Sequence, residues 1–162
     1  MLSNVKIQDG RADFDFFFGN WTLESRRLRE RLKGSTDWES FDGQASARPI
    51  LDGLGNIDEV TFNREAGTGR GATLRLFDAA SQQWRIYWAD GVRGRLDVPM
   101  IGSFTDGRGE FYAQELFEDK AIFSRFIWTV FSANACRWEQ AFSPDAGQTW
   151  ETNWVVDFTR AP

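Results

Sequence analysis

The amino-acid sequence predicts an all-β fold, a single closed antiparallel up-and-down β-barrel of about ten strands. Its 162 residues suffice for one domain with a sizeable core. About ten short segments rich in aromatic and β-branched residues alternate with turn signals, and no amphipathic helical pattern exceeds a turn or two. A chain of consecutive strands must protect its sheet edges, and closing the sheet into a barrel does so.

The predicted elements follow one another without a linker or a repeat longer than a hairpin. Residues 1–12 are expected to form a flexible lead of the single domain 1–162, and residues 11–19 a short 3₁₀ or helical plug. Residues 66–71, rich in glycine, are expected to be a flexible turn. The ten strands are expected at about residues 21–32, 38–49, 57–64, 72–77, 84–89, 98–104, 110–117, 121–131, 136–143 and 149–160.

Composition narrows the function classes. A net charge of −5 and a pI near 4.8 argue against a nucleic-acid partner, which needs a basic face. We expect neither a signal peptide nor a membrane partner, because the sequence lacks the apolar segments that both require. The lone Cys136 is expected to be a small buried thiol in a cytoplasmic protein. Because the chain has no histidine, His-ligated haem, His-rich zinc sites and Ser-His-Asp chemistry are excluded, and no metal or cofactor is expected.

The two ends of the predicted barrel carry matching residues. Gly19-Asn20-Trp21 opens the first strand, and Arg160 ends the last one. This Gly-x-Trp resembles the opening motif of calycin barrels, the lipocalin-like folds, in which the Trp closes the barrel floor under an Arg from the last strand. The resemblance implies that Trp21 is buried and that the Arg160 guanidinium packs over its indole.

The resemblance extends over nearly the whole chain, from Phe14 to Arg160. The overall pattern is similar to a family of uncharacterised bacterial proteins with a lipocalin-like barrel, and it implies fold rather than activity. The residues that carry it are Phe14-Asp15-Phe16, Gly19-Asn20-Trp21, Arg27-Leu28, Trp38, Phe77-Asp78, Trp84, Trp88, Asp90 and the turn over residues 143–150.

The turn between the last two strands matches the Asp-box pattern, S-x-D-x-G-x-T-W, over residues 143–150. Such a motif ties a β-hairpin. The Asp145 side chain is expected to accept turn N–H groups, Gly147 to take the unusual dihedral, and Trp150 to pack beneath. Asp-boxes recur in sialidases, but one copy in a chain too short for a propeller indicates a structural role rather than sugar chemistry.

Side-chain alternation assigns the faces of the last three strands. The final turn is expected to place Phe142 opposite Trp150 and Trp138 opposite Trp154, so that four aromatic side chains share the inner face. A short loop around residue 133 places Trp128 opposite Trp138 in the same way.

The hairpin before these strands places a carboxylate inside the barrel. A two-residue turn at Asp119-Lys120 sets Phe117 against Ile122 and leaves Glu115 on the inner side. A carboxylate among aromatic rings must find a partner or raise its pKa. Glu115 is therefore expected either to form a structural ion pair with an inward Arg or to have a functional role.

Strands four and five are harder to orient. Trp84 and Trp88 share one face of strand five, and Tyr87 lies on the other. Strand four presents either Leu74 or Arg75 to the lumen, and the sequence leaves both open.

Strand one is also open to two interpretations. Arg27 lies an even number of residues after Trp21 on this strand, so alternation points it inward as well. Guanidinium groups there would favour an anionic group or stack on rings. A bulge that switched the register would instead leave an exposed basic strip.

The expected function is the binding of a small hydrophobic or amphipathic molecule, with or without an anionic group, in the barrel lumen. The alternative is an isomerase, cyclase or hydrolase in the same cavity, using Glu115 with Tyr87 or an inward Arg. An interaction protein with exposed Tyr112 and Leu116 is a third interpretation, and a homodimer is left open.

The candidate ligand-binding residues in the lumen are Arg27, Trp38, Arg75, Trp88, Glu115, Trp128, Trp138 and Trp154. The candidate structural residues are Trp21, Arg160, Asp145 and Trp150, and catalytic residues are unknown.

Overall fold

The computed structural model describes residues 9–162 and confirms a single closed antiparallel barrel of ten strands. Each strand pairs with the next along the chain, and the last pairs with the first, so no edge is left open. The strands are β1 (Gly19–Leu28), β2 (Trp38–Ile50), β3 (Gly55–Arg64), β4 (Gly67–Asp78), β5 (Gln83–Asp90), β6 (Met100–Thr105), β7 (Arg108–Phe117), β8 (Lys120–Ser132), β9 (Ala135–Ser143) and β10 (Glu151–Arg160).

Two short 3₁₀ turns, Gly10–Ala12 and Asp15–Phe17, precede β1 and form the expected plug. Phe14 and Phe17 are buried and contact the Trp128 ring, which places aromatic side chains across the lower end of the barrel. Residues 1–8 of the expected flexible lead lie outside the described residues. Contacts with the barrel already begin at Gly10, whose carbonyl accepts a hydrogen bond from the Trp84 indole. No helix within residues 9–162 has the length and apolarity needed to cross a membrane.

The floor of the barrel is built from the paired chain ends. Trp21 is 1% exposed, lies opposite Arg160 in the β1–β10 ladder, and donates its indole N–H to the Phe17 carbonyl at 2.9 Å. The guanidinium carbon of Arg160 lies 4.2 Å from the Trp21 ring centre. Arg160 also donates to the carbonyls of Phe16 and Phe18 at 2.9 and 2.7 Å, so it ties the plug to the last strand.

The expectation of a flexible turn over residues 66–71 is wrong for most of that segment. β4 already begins at Gly67 and pairs with β3 along its whole length. Gly71 lies beneath the Trp88 indole, where a Cβ would overlap the ring. Glycine at this position allows the Trp88 indole to lie close to the backbone, and it does not make the segment flexible.

The β7–β8 turn differs from the prediction by one position. Its two central residues are Glu118 and Asp119, with φ of 48° and 64°, as a type I′ hairpin turn requires. Phe117 therefore pairs with Lys120 rather than Ile122, and Ile122 pairs with Glu115. Because the pairing moves by two residues, every side chain keeps its face and Glu115 still points inward.

A β-bulge changes the register of the last hairpin. The ladder shifts between Thr152 and Trp154, so Trp138 lies opposite Val156 rather than Trp154. The extra residue reverses the faces upstream of it, and the expectation that Trp150 shares the inner face is wrong. Trp150 packs instead on the outside of the barrel, against Tyr112.

Candidate functional site

The barrel encloses a cavity of about 120 Å³ whose walls are largely aromatic. Indoles of Trp88, Trp128, Trp138 and Trp154 face it, together with the Phe126 ring. Its size approaches the roughly 150 Å³ of an engineered apolar cavity that takes up benzene. The cavity can therefore accommodate a group of about one aromatic ring.

Most of the ligand-binding residues expected from the sequence come together in this cavity. Those that line it are Arg75, Trp88, Glu115, Trp128, Trp138 and Trp154. Trp38 does not line the cavity. Its neighbour Glu39 is buried opposite Arg27, so alternation along β2 turns the Trp38 side chain outward, where it is 37% exposed. The placement of Trp38 in the lumen is thus wrong.

The aromatic wall is held in fixed positions. The Trp154 indole N–H donates to the Ser25 hydroxyl oxygen at 2.7 Å, which satisfies the polar end of the ring. Its ring packs edge-on against Trp138, with 5.2 Å between ring centres, and Trp138 packs in turn against Phe126 at 4.9 Å. These contacts keep flat apolar surfaces directed at the cavity.

A buried ion pair forms the polar part of the cavity lining. Arg75 and Phe77 are the inward residues of β4, which resolves the ambiguity of that strand. Arg75 and Asp58 are 3% and 5% exposed and pair at 2.6 Å, while Arg75 also donates to Asn56 at 2.9 Å. The guanidinium carbon lies 5.5 Å from the Trp128 ring centre. Asp58 also lines the cavity, on the same face of β3 as Val60 and Phe62, and was missed because an acid in a strand usually faces water.

Glu115 faces the cavity near its mouth. Burial raises the pKa of Glu115, and the negative charge of Asp97, another lining residue, raises it further. The Ser124 hydroxyl and the charges of Arg31 and Arg93 oppose that shift.

The partner suggested for Glu115 in the enzyme reading is on the wrong face. Tyr87 pairs with Leu74, on the side of the sheet opposite to Trp88 and Arg75. Tyr87 therefore cannot act with Glu115, and the cations that act on that carboxylate are Arg31 and Arg93.

Arginines surround the mouth of the barrel. β1 runs to Arg27 without a bulge, and the Arg27 guanidinium carbon lies 4.4 Å over the Trp154 ring, so the inward parity holds to that point. Arg31 lies over Phe117 at 4.9 Å, and Arg64 forms an ion pair with Glu39 at 2.6 Å. Arg27 is a residue of the mouth rather than of the cavity lining.

The loop that carries Arg31, residues 29–37, crosses the open end of the barrel. β1 ends at Leu28, four residues earlier than expected, and the loop that follows contains Leu32 and Gly34 at positive φ, which a strand does not accommodate. The Leu32 N–H donates to the Glu151 carboxylate at 2.8 Å, and the adjacent Lys33 pairs with the carboxylate that follows β7 at 3.3 Å. The loop is thereby linked to the neighbouring β10 and, across the mouth, to the β7–β8 turn.

Other reactive groups are sparse in the described part of the chain. Within residues 9–162, no three His, Cys, Asp or Glu side chains group together in a way that could hold a metal ion. Cys136 is buried, as expected, and that burial raises its pKa to about 12, so the thiol stays protonated at neutral pH.

The turn over residues 143–150 is held by its own side chains. Asp145 accepts hydrogen bonds from the Thr149 backbone N–H at 2.8 Å and from the Thr149 hydroxyl at 2.6 Å. The Gly147 N–H donates to the Ser143 hydroxyl at 2.7 Å, with Gly147 at a φ of 88° and close to the Trp150 ring. None of these residues lines the cavity.

Replacing Asp145 by alanine is expected to lower the midpoint of urea denaturation, because the turn loses both Thr149 hydrogen bonds. Asp145→Asn, which keeps one acceptor oxygen, should lose less. Ligand affinity should stay unchanged in both variants. A folded Asp145→Ala protein with lost binding would contradict the structural role of this turn.

Comparison with solved structures supports the same architecture. The S-type phycobiliprotein lyase from Guillardia theta superimposes on this chain with a TM-score of 0.61, over 94% of this chain and 92% of the lyase. The two sequences are 10% identical. No protein-family model and no curated protein matches the chain in sequence. Fold and neighbour together define the class: the chain is a lipocalin-like β-barrel.

Proposed function

We propose that this barrel binds a small hydrophobic or amphipathic molecule and holds a flat, ring-containing part of it in the lumen. The observation that carries the proposal is the cavity of about 120 Å³ walled by four indoles. Small-molecule sites are typically concave and mostly apolar, with a few placed polar groups. This cavity has that composition, because the Arg75–Asp58 pair and Glu115 are set among the aromatic walls.

The cavity dimensions indicate how such a ligand would lie. A volume of about 120 Å³ accepts a ring system of limited size, so the rest of a larger molecule would extend past Glu115 to the mouth. The phycobiliprotein lyase shares the barrel architecture, which is compatible with an internal ligand site on this scaffold. At 10% identity the likeness concerns architecture, and it is the lining of the cavity that indicates the kind of ligand.

The test is calorimetric titration of the purified protein with phenylacetamide, an uncharged probe whose single ring suits the volume of the cavity. Replacing Trp88 by leucine removes one flat wall, and we expect its affinity for the probe to fall about fivefold, the loss of one aromatic packing contact. Trp38→Leu is the matched control, because Trp38 lies on the outer face and does not line the cavity.

Equal affinities in the wild type and in both variants would place the probe outside the lumen and contradict the proposed site. A loss of equal size in Trp38→Leu and Trp88→Leu would do the same, since only one of these residues faces the cavity.

A second candidate is an enzyme that uses Glu115 as an acid or base. The observation that favours it is the raised pKa of this carboxyl in a cavity, next to Asp97. Chromatography and NMR spectroscopy of the recovered ligand distinguish turnover, which changes its structure even where an isomerase leaves its mass unchanged, from binding, which leaves the ligand as supplied.

A further inference from the structure

The mouth of the barrel holds two arginines whose charges are not neutralised by an ion pair. Among the described residues 9–162, neither Arg27 nor Arg31 forms a salt bridge, whereas Arg29, Lys33 and Arg64 each pair with a carboxylate. Surface arginines commonly lack partners, but these two are only partly exposed and stand above the cavity. Two partly buried cations without a paired carboxylate therefore lie above the cavity.

Both guanidinium groups lie over aromatic rings. Arg27 lies 4.4 Å over Trp154, and Arg31 lies 4.9 Å over Phe117 and 5.7 Å over Phe142. The five N–H donors of a guanidinium lie in its plane, so stacking uses a face and leaves the donor edges available for a planar acceptor. Stacking also restricts the long side chains, which reduces the entropy lost when they bind an anion.

The local field at Arg27 favours an added negative charge. Burial lowers the pKa of Arg27 to about 10, with repulsion from Arg31 and Arg64 adding to the shift and Glu39 opposing it. Glu39 is already paired with Arg64 at 2.6 Å. An anion between Arg27 and Arg31 would reduce the repulsion among these cations.

The carboxylates nearest to Arg31 have other partners or another location. Burial lowers the pKa of Arg31, and the charges of Glu118, Glu115 and Glu151 oppose that shift from a distance. Glu118 pairs with Lys33 at 3.3 Å, and Glu151 accepts the backbone N–H of the loop over residues 29–37 at 2.8 Å. Glu115 faces the cavity. These groups leave the donor edges of Arg31 without an ion pair.

The Trp154 indole connects this cationic pair to the cavity. Trp154 lines the cavity and also carries the Arg27 guanidinium on its ring. A ligand whose ring lies against the indole wall would thus have its outer end beside Arg27. We propose that the ligand is an organic anion whose carboxylate or similar acidic group binds between Arg27 and Arg31, with its apolar ring in the lumen. This inference rests on the proposed function and adds the charge and orientation of the ligand.

The test uses three one-ring probes that share a phenyl group and differ in charge. They are phenylacetate, the neutral phenylacetamide and the cationic benzylamine, each titrated calorimetrically. Arg27→Gln/Arg31→Gln is compared with Arg26→Gln/Arg48→Gln. The control removes the same charge from two exposed arginines, Arg26 on β1 and Arg48 on β2. Urea denaturation checks that both variants fold. Should the first double variant unfold, Arg31→Gln alone, a loop substitution, replaces it.

We expect the wild type to bind the acetate at least tenfold more tightly than the acetamide, and the amine most weakly. Arg27→Gln/Arg31→Gln should lose about tenfold for the acetate and change less than twofold for the acetamide, while the control double variant keeps both affinities. Acetamide binding without a preference for the acetate would overturn this inference and leave the proposed function standing. Equal loss in both double variants would also overturn it, because the effect would then come from net charge. Absence of binding by all three probes would contradict the proposed function itself.

Discussion

Replacing Trp21 by alanine is expected to lower the free energy of unfolding by about 3–5 kcal/mol, the range for a large aromatic removed from a core. The indole is buried, stacks on Phe17 with 5.5 Å between ring centres, and lies beneath the Arg160 guanidinium. Its removal leaves a cavity in the floor and takes away the surface on which Arg160 rests. It also leaves the Phe17 carbonyl without the indole N–H that it accepts.

The measurement is urea denaturation followed by far-ultraviolet circular dichroism, which does not depend on the deleted fluorophore. Trp38→Ala is the matched control, since Trp38 lies on the outer face of the same sheet and should cost below about 1 kcal/mol. If Trp21→Ala cost no more than this control, the closed floor would contribute little to stability. The role implied by the resemblance of the chain ends to calycin barrels would then be wrong.

The barrel was predictable because its signals are local. Alternation and turn residues locate each hairpin, and Gly19 with Trp21 and Arg160 marks where the ends meet. The bulge beside Trp154 was not predictable, because no glycine or proline marks it and only the β9 partner strand reveals the extra residue. One inserted residue was enough to turn Trp150 outward.

The same holds for the candidate site: some of its residues could be placed from the local sequence, and others depend on long-range strand pairing. The inward indoles Trp128, Trp138 and Trp154 follow from parity within consecutive hairpins. Trp38 was misplaced because its face depends on pairing across to Arg27, which fixes Glu39 rather than Trp38 as inward. Asp58 was missed because an acid in a strand usually faces water, and its buried partner Arg75 stands on a strand whose face the sequence left undecided.

The buried pair of Asp58 and Arg75 is expected to be sensitive to the loss of either partner. Replacing Asp58 by leucine alone is expected to destabilise the protein by about 3–5 kcal/mol, because the Arg75 guanidinium would remain buried without a counter-charge. Arg75→Met alone should cost a similar amount by leaving the Asp58 carboxylate uncompensated. The aromatic rings of Phe14, Phe17 and Trp128 do not offset the loss of the carboxylate, because their cation–π contacts with the guanidinium are already made in the wild type.

The double variant Asp58→Leu/Arg75→Met decides whether this cost is electrostatic. A buried pair replaced by apolar residues of similar volume is often neutral or stabilising, so the double variant should regain most of the stability that either single variant loses. A double-mutant cycle from urea denaturation measures the coupling, which we expect to be large and favourable in the wild type. If the free-energy costs of the two single substitutions were additive in the double variant, the expected coupling would be contradicted. Each charge would then be stabilised without the other. In that case solvent in the cavity, which both side chains line, would be the group that stabilises them.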